Sequence, residues 1–520
     1  MSTLRSSGRR PIVSGRAIAW PSSDTLAWVA IIFFLGANLV LMLLRLANKP
    51  FNADELQHAH IAWTIAQGEV LYRDFWDHHG PLYNLMNGAL IFIADPEPSL
   101  QLLFSSRLMS FAAMLGVMWL TWRIARELAL SRLTSLLAVA AFSSLYFLHN
   151  KGVEARPDTL QSLFWVAGFY WLLVNQRRGS FGCALVGGAL FTLAILSNAK
   201  AGIGPFFVVL FYVLAPFAFG MPMRVWWRDL SGMALGLAIT MMPMLMYFYV
   251  NDGLTDFLYY NYLFSLQLAY YWAVGDQSAY GVGEAGLAVE YAIFFIRNQL
   301  PFVLLVLVGV LAWVPRLSTG SAAARRANAL FLIATLGATT GWVANLFSQF
   351  FLVFLPLLAV FAAFGFSWLA TGIRCRWQQT GRIAIGTLAT LAAVMMLWYP
   401  VSHAPLAPTN WLTAQIAFTD KMVSLTERDE PVGVIWSTCG GYIFNRNVGY
   451  YWVAIPGATN IIEIISGEHP YGPAFIEQME ARQVRYVIGR KNWMTGGLTA
   501  EVLDYLDNYF TYEDCLWTRR

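Results

Sequence analysis

The feature that most constrains this chain is a series of long apolar stretches that recurs through its first 400 residues. A helix that spans a bilayer needs about 20 apolar residues. Eleven stretches approach this length, at about 25–46, 101–122, 133–149, 159–175, 181–198, 201–219, 230–250, 299–315, 327–345, 347–370 and 383–399. Only 12% of the residues are charged, about half the value for an average soluble protein. We therefore predict an α-helical polytopic membrane protein with about eleven transmembrane helices.

Basic residues predict how these helices are oriented. One set of loops holds arginine as its basic residue, at 123–132, 177–178, 224–228, 316–326 and 374–382. These loops fall on the same side of the membrane as the N-terminus, and cytoplasmic loops are enriched in Lys and Arg. We expect the N-terminus in the cytoplasm and the C-terminal tail outside. The net charge of +4 reflects this topology and does not indicate a nucleic-acid partner.

Acidic residues concentrate in the loops on the opposite, outer face. These loops lie at about 47–100, 149–158 and 251–298. In the first, the pattern from 53 to 67 is helical, and Asp54, Glu55 and His58 fall within one turn of its start, where a helix stabilises anions. The alternative to a functional site is an amphipathic helix that lies on the membrane with a solvated acidic cap.

The second outer loop places Glu154, Arg156 and Asp158 between two apolar stretches. Pro157 suits the first turn of the next helix, which puts Asp158 in that turn. A charge at the centre of a bilayer costs about 2.5–3.5 kcal/mol on insertion scales, so charges this close to the apolar region are expected to pair or to line a cavity. A purely structural ion pair with Arg156 is the alternative.

Two isolated cations, Lys200 and Arg297, lie at the outer ends of apolar stretches. Either could extend to lipid phosphates at the membrane surface or bind a phosphate of a lipid-linked substrate. The sequence has no Walker loop, no dinucleotide fingerprint that opens a βαβ unit, no HExxH pair and no CxxC pair. Chemistry driven by nucleotides is therefore not expected.

From 401 to 520 the sequence has the character of a soluble domain, which we separate from a transmembrane domain at 1–400. The patterns predict a strand that begins at Pro431, a helix over 475–482, a strand over 484–489 and a last helix over 498–509. This is a small α/β domain. An oxidising compartment would permit a disulfide between Cys439 and Cys515, but two unpaired cysteines are an equal alternative.

Several motifs in the outer loops resemble those of a known enzyme group. They are Ala53-Asp54-Glu55, Gly68 followed by Tyr72-Arg73-Asp74-Phe75, His79-Gly80-Pro81-Leu82-Tyr83, Glu154-Ala155-Arg156-Pro157-Asp158, and Lys200. The sequence resembles the bacterial branch of the protein O-mannosyltransferase group (glycosyltransferase family 39), which has the GT-C fold. Aminoarabinose and galacturonic acid transferases of lipid A belong to the same broad group. A late histidine-tyrosine pair of the family is replaced here by Ser348-Gln349-Phe350.

The resemblance implies transfer of a sugar, with inversion, from a polyprenyl-phosphate donor to a hydroxyl group on the outer face of the cytoplasmic (inner) membrane. The implied acceptor is a cell-envelope molecule: lipid A or its core, another glycan, a lipid or a protein. The implied base is Asp54, while Glu55 and Asp158 would orient the acceptor or tune the base. Arg156, Lys200 and Arg297 would hold the departing phosphate. The other implied substrate contacts are His58, Tyr72, Asp77, His79, Tyr83 and Glu154.

The resemblance implies no obligate cofactor. The Asp54–Glu55 pair could bind Mg²⁺ or Mn²⁺, although in this group we expect the cationic side chains to serve instead of a metal. A flippase or transporter of lipid-linked glycans is the alternative function. It should place charged or broken-helix features near the middle of the membrane, whereas here the charges sit at one face and the C-terminal (periplasmic) domain is attached to that face. A scaffold protein, which would not need Asp54, is the third hypothesis.

Overall fold

The computed structural model describes residues 23–94, 97–264, 266–267, 293–343, 351–435, 438–450, 452–454, 471–491 and 500–520. The helices of the first 402 residues are α1 (Ser23–Asn48), α2 (Ala53–Ala66), α3 (Pro81–Ala94), α4 (Leu102–Glu127), α5 (Arg132–Ser143), α6 (Tyr146–Lys151), α7 (Pro157–Arg178), α8 (Phe181–Ser197), α9 (Ile203–Ala218), α10 (Met223–Val250), α11 (Leu254–Leu258), α12 (Leu300–Trp313), α13 (Ala322–Val343) and α14 (Phe351–Ser402). Most of the predicted third outer loop and the segment 348–350 lie outside the described residues.

The composition of the helices is that of a membrane protein. Among the described residues, seven segments are long and apolar enough to cross a membrane: Ala27–Asn48, Leu102–Glu127, Ala199–Ala218, Met223–Val250, Leu300–Leu317, Phe351–Ile373 and Ile385–Ser402. Three more apolar helices, α3, α5 and α8, are shorter. Phe33 is 78% exposed and Phe217 is 87% exposed, whereas Asn38 and Thr121 are buried. This distribution is expected when the solvent is lipid, and the prediction of a polytopic helical membrane protein is confirmed.

The predicted segments and the observed helices differ in several places. The predicted span 133–149 is divided into α5 and α6. The predicted loop 47–100 contains two helices, of which only α2 was expected. Helix α3 has 14 residues, which is too short to satisfy the length criterion for a span.

Helix α14 turns back within its length. A straight helix rises about 1.5 Å per residue, so Ala363 and Ala393 would lie about 45 Å apart in one. Both nevertheless line a single cavity of about 360 Å³, together with Ala30 and Phe34 of α1. The two apolar segments of α14 therefore lie side by side, as expected for the two separate spans predicted at 347–370 and 383–399.

Glycines allow the closest helix contacts. A Cβ atom added at Gly188 of α8 would lie 2.2 Å from the Met233 carbonyl oxygen, and one added at Gly236 of α10 would lie 2.0 Å from the Leu185 carbonyl oxygen. These distances leave no room for a side chain. The two backbones pack directly against each other, as small residues permit in membrane proteins.

The C-terminal segment forms the predicted small α/β unit. Its helices are α15 (Asn410–Leu425), α16 (Tyr471–Ala481) and α17 (Ala500–Tyr509), and its strands are β1 (Pro431–Ile435), β2 (Arg446–Asn447), β3 (Val453–Ala454), β4 (Tyr486–Ile488), β5 (Phe510–Glu513) and β6 (Leu516–Arg519). The sheet order is β2-β1-β4-β6-β5, with β3 also paired to β1. Strand β1 is parallel to β4, and β6 is antiparallel to both β4 and β5. Cys439 and Cys515 form a disulfide.

This unit shares a hydrophobic core with the segment between α1 and α4, which is the predicted first outer loop. Leu56 and Trp63 of α2 belong to the same buried cluster as Leu412, Tyr442 and Trp452. Backbone contacts join the same two regions, because Trp76 N donates to the Tyr450 carbonyl over 2.9 Å. Helix α2 is thus buried between the membrane helices and the C-terminal unit. The alternative of a helix that lies on the membrane surface is wrong.

Candidate active site

The start of α2 is determined by a local capping motif. Asn52 Oδ1 accepts a hydrogen bond from Glu55 N over 2.9 Å, and Glu55 Oε2 accepts one from Asn52 N over 3.1 Å. This reciprocal pair satisfies two backbone donors at the helix start. It also directs the neighbouring carboxylates of Asp54 and Glu55 to different surroundings.

Glu55 lies in a fully buried ion pair with Arg107 of α4. Arg107 Nε lies 2.8 Å from Glu55 Oε1 and Nη2 lies 2.9 Å from Oε2, which is a bidentate arrangement. Ala155 N also donates to Glu55 Oε1 over 2.8 Å. The Glu55 side chain is 0% exposed, so its carboxylate has no access to a substrate in this arrangement.

Arg107 uses all its remaining donors on the end of α1. The carbonyl oxygens of Leu46, Lys49 and Pro50 accept hydrogen bonds from its Nη atoms over 2.7–3.0 Å. With the two bonds to Glu55, the five N–H groups of the guanidinium are satisfied. Arg107 thereby joins α1, α2 and α4 at the edge of the site.

Arg156 is the centre of a cluster of charges beside Asp54. Its Nη1 contacts Asp54 Oδ2 and lies 3.8 Å from Glu154 Oε2, and its Nε lies 3.1 Å from Asp158 Oδ2. Glu154 also pairs with Lys49 and with Lys151, whose Nζ is 3.0 Å from Glu154 Oε2. Three carboxylates and three cations therefore balance one another within this cluster.

The Arg156 charge controls the ionisation of Asp54. Burial is the largest single influence and raises the pKa of Asp54, but the opposing charges, of which Arg156 is the largest, together lower the pKa to about 2. Burial also opposes the ionisation of Glu154, but Lys151 and Lys49 hold its pKa well below the usual range. Asp54 and Glu154 are therefore ionised at neutral pH.

Accessibility separates Asp54 from the other acids of the cluster. The Asp54 side chain is 27% exposed, whereas Glu154 is 1% and Asp158 is 4% exposed. Asp158 is further held by Asn198, whose Nδ2 donates to its Oδ1 over 3.3 Å. Asp54 is the carboxylate of this cluster that a substrate can reach.

A second group of polar side chains lies next to Asp54. His79 Nδ1 is 2.9 Å from Asp77 Oδ1, and Asn84 Nδ2 donates to Asp77 Oδ2 over 3.0 Å. The Asn84 amide oxygen lies 3.1 Å from His58 Nδ1, so this nitrogen carries the imidazole proton. The other ring nitrogen of His58 is buried and has no hydrogen-bond partner among the described residues.

Both histidines of this group are neutral at physiological pH. Burial is the main cause, and it lowers the pKa of His58 and of His79 to about 3. The two rings lie 4.5 Å apart between centroids. Burial also raises the pKa of Asp77. The charges of Asp54 and Arg156 act on the pKa of His79, so the two groups form one continuous site.

Gly80 brings this group to the end of α8. A Cβ atom at Gly80 would lie 2.4 Å from the Leu196 carbonyl oxygen, so no other residue allows this approach without a shift of the backbone. Lys200 lies in the turn Ala199–Gly202 that follows α8. Its charge contributes to the lowered pKa of His79, which places Lys200 at the same site.

The remaining predicted residues have different positions. Tyr83 is buried against His58, with ring centroids 5.7 Å apart. Tyr72 is buried, and its hydroxyl donates to the His79 carbonyl, so it supports the loop. Arg297 is exposed, and no ion pair in the described part of the chain connects it to the cluster.

The Asp54–Glu55 pair, considered above for Mg²⁺ or Mn²⁺, does not act as a pair in this structure. Its two carboxylates contact different cations, Arg156 and Arg107. Among the described residues, Asp77, His78 and His79 form a group whose potential ligand atoms all lie within 4.8 Å of one another. One carboxylate and two imidazoles are donors that suit zinc better than magnesium.

Several residues of this site were not predicted from the sequence, among them three cations and one tyrosine. Lys49 and Lys151 bind Glu154, and Arg107 binds Glu55. Arg107 had a recognisable signal, because it is a single charge in an apolar stretch. Tyr442 had none. It comes from the C-terminal unit and is buried, and after burial the Asp54 charge contributes most to raising its pKa.

Comparison with known proteins identifies the fold. Residues 99–250 match the family described as dolichyl-phosphate-mannose-protein mannosyltransferase. ArnT from Cupriavidus metallidurans, solved with undecaprenyl phosphate, superimposes with a TM-score of 0.60 at 13% identity, over 96% of this chain and 98% of that one. The chain has the fold of the GT-C glycosyltransferases. The resemblance predicted from the outer-loop motifs is thereby confirmed.

Two structures of an archaeal enzyme share this GT-C fold. The oligosaccharyltransferase AglB from Archaeoglobus fulgidus, with an inhibitory peptide and a dolichol-phosphate, gives a TM-score of 0.54 at 13% identity, over 94% of this chain and 73% of that one. The oligosaccharyltransferase of the same organism in complex with Zn and sulfate gives 0.51 at 14% identity, over 92% and 71%. No curated protein matches the sequence. The family match begins after the first outer loop, so the role of Asp54 rests on the geometry described above.

Proposed function

We propose that this protein transfers a sugar from a polyprenyl-phosphate carrier to a hydroxyl group of a cell-envelope acceptor, on the outer face of the cytoplasmic membrane. The observation that carries the proposal is the accessible Asp54 carboxylate in contact with the buried Arg156. Two proteins of similar fold were solved with undecaprenyl phosphate and dolichol-phosphate. A lipid phosphate is therefore the donor class that we propose, with Arg156 and Lys200 as the cations that would contact it.

In the proposed reaction, Asp54 accepts the proton of the acceptor hydroxyl group. The acceptor oxygen forms a bond to the anomeric carbon from the face opposite the phosphate, which inverts that centre. The bond between the anomeric carbon and the phosphate oxygen breaks, and its electron pair leaves with the polyprenyl phosphate. A carboxylate in hydrogen-bond reach of the hydroxyl is the arrangement that general base catalysis requires.

Arg156 would stabilise the departing phosphate, with Lys200 as a second cation. Negative charge on the phosphate grows as the bond breaks, and cations already in place stabilise it at little reorganisation cost. A donor phosphate would also compete with Asp54 for Arg156. This competition would raise the pKa of Asp54 from about 2 towards the range of a useful base.

The buried residues of the site would act through these groups. Glu55 holds Arg107 in position, and Asp158 holds Arg156. We therefore assign the two acids to positioning and not to contact with the acceptor. His58, Asp77, His79 and Tyr83 would line the sugar side of the site, with Tyr72 as support for the loop. Arg297 stays a prediction for the donor phosphate.

The test is donor turnover by the purified protein in lipid nanodiscs. Polyprenyl phosphates that carry a hexose, a pentose or a uronic acid would be supplied together with an envelope extract. We expect one donor class to release free polyprenyl phosphate and to label an acceptor. A flippase would move the labelled donor across vesicles without releasing it, and that result would contradict the proposal.

A pH profile tests the assignment of Arg156. In the wild-type protein without bound donor, Asp54 has a pKa of about 2 and is ionised at every practical pH. Its titration should therefore not limit kcat/KM for the donor, which reports the free enzyme, between pH 4.5 and 8. Arg156→Gln removes the largest of the charges that oppose the effect of burial, so the pKa of Asp54 rises from about 2. The rate should then fall as the pH is lowered towards that raised pKa.

The control for this profile is Lys151→Gln, because Lys151 makes a smaller contribution to the pKa of Asp54 than Arg156 does. Lys151→Gln should raise the pH at which the rate begins to fall by less than Arg156→Gln does. Identical profiles for Arg156→Gln and the wild type, at any overall rate, would mean that Arg156 does not control the ionisation of the base.

A further inference from the structure

The C-terminal unit contains a cavity that the proposed reaction does not use. Its volume is about 580 Å³, which lies within the range of small-ligand sites. Its lining combines three aromatic rings with two cations, namely Trp411, Phe418, Tyr512, Lys421 and Arg490. The disulfide Cys439–Cys515 forms part of the wall.

The charges of this cavity favour an anion. The Arg490 guanidinium lies over the Trp411 ring, 4.0 Å from its centroid and within the range of a cation–π contact. Neither Lys421 nor Arg490 forms an ion pair with a carboxylate in the part of the chain that the structure describes. One acid, Asp514, shares the lining, so the cations exceed it by one charge.

The cavity lies close to both the membrane and Asp54. Asn48, at the outer end of α1, donates to the Pro405 carbonyl over 3.0 Å, and its own carbonyl accepts from Thr409 N over 3.3 Å. Trp411 follows two residues later. On the other side, Gln415 lines the cavity and donates to the Phe51 carbonyl over 2.7 Å, three residues before Asp54.

We propose that this cavity binds an acidic saccharide unit of a membrane-anchored acceptor, that is, a sugar bearing a carboxylate or a phosphate group. Aromatic faces pack against sugar rings, and the two cations would bind the acidic group. A neutral glycan would not need them. The proposal rests on the proposed function, since it identifies the class of acceptor presented to Asp54.

The test is direct binding to the full-length protein in nanodiscs. The probes are trigalacturonic acid, a phosphorylated maltotriose and neutral maltotriose, with dissociation constants measured by microscale thermophoresis. We expect at least one acidic probe to bind about tenfold or more tighter than maltotriose, because a charged hydrogen bond contributes about that factor. Which acidic probe binds tighter would distinguish a carboxylate from a phosphate ligand.

Matched variants locate the binding. The double variant Lys421→Gln/Arg490→Gln should weaken binding of the acidic probe by about tenfold or more, and Trp411→Ala should weaken binding of all probes. Lys491→Gln is the control, because Lys491 adjoins Arg490 in sequence but pairs with Asp507 at the surface. It should leave binding unchanged. Melting temperatures would show that each variant is folded.

Two results would overturn this proposal: equal affinity for acidic and neutral probes, or acidic binding that survives in a folded double variant. Both leave the proposed function intact when donor turnover is observed. Conversely, the wild-type protein could bind the acidic probe in a charge-dependent way, with the same affinity in Asp54→Asn, and yet turn over no donor. That result would support the cavity and contradict the transferase. The two proposals therefore fail separately.

Discussion

Asp54→Asn should lower the rate of sugar transfer by about 10²–10⁴-fold, the usual contribution of a general base. Asparagine has nearly the same shape and can still accept a hydrogen bond from Arg156, so the surrounding contacts should persist. It cannot accept the acceptor proton. The measurement is the initial rate of polyprenyl phosphate release, at donor and acceptor concentrations that saturate the wild type.

The matched control for this variant is Asp74→Asn in the same outer loop. Asp74 pairs with Arg73 at the surface and its side chain is 31% exposed, outside the charge cluster of Asp54. Its rate should stay within about twofold of the wild type, since isolated surface pairs contribute little. If Asp54→Asn is produced normally and retains more than half the wild-type rate, another residue is the base.

Arg107→Met should destabilise the protein by about 3–5 kcal/mol, the range for a buried ion pair that loses one partner. Glu55 would keep a buried charge without its bidentate partner. The carbonyl oxygens at the end of α1 would lose their donors as well. The measurement is the melting temperature in detergent, with unfolding monitored by intrinsic tryptophan fluorescence.

Two further variants determine whether the ion pair itself is the cause. The double variant Arg107→Met/Glu55→Gln should recover part of the lost stability, because no uncompensated charge remains. Arg177→Met is the surface control. It breaks a pair with Glu127 in which Arg177 is 49% exposed, and should cost less than about 1 kcal/mol. A melting temperature of Arg107→Met equal to that of Arg177→Met would contradict the structural role of Arg107.

Several elements of the fold follow from patterns within a few residues. Apolar stretches mark the membrane helices. Pro157 places the start of α7, and Asn52 with Glu55 starts α2. The motifs around Asp54 and Arg156 predicted the GT-C fold. These inferences succeeded because helix length, capping and insertion in a bilayer depend on local sequence.

The arrangement of the site depends on contacts between distant residues. Glu55 meets Arg107 and Asp54 meets Arg156, pairs 52 and 102 residues apart. Gln415 reaches Phe51 across 364 residues. Nothing in the sequence near Asp54 and Glu55 shows which of the two is enclosed by a cation and backbone donors and which remains accessible.

The amino-acid sequence by itself therefore determined the membrane helices and the choice of candidate acids. Only the tertiary structure separated the accessible Asp54 from the buried Glu55 and packed the C-terminal unit onto the first outer loop. The physical reason is that ionisation and access depend on which charges and apolar surfaces surround a carboxylate in three dimensions. For Asp54 that surrounding is assembled from α2, the loop before α7 and the C-terminal unit, which are far apart along the chain.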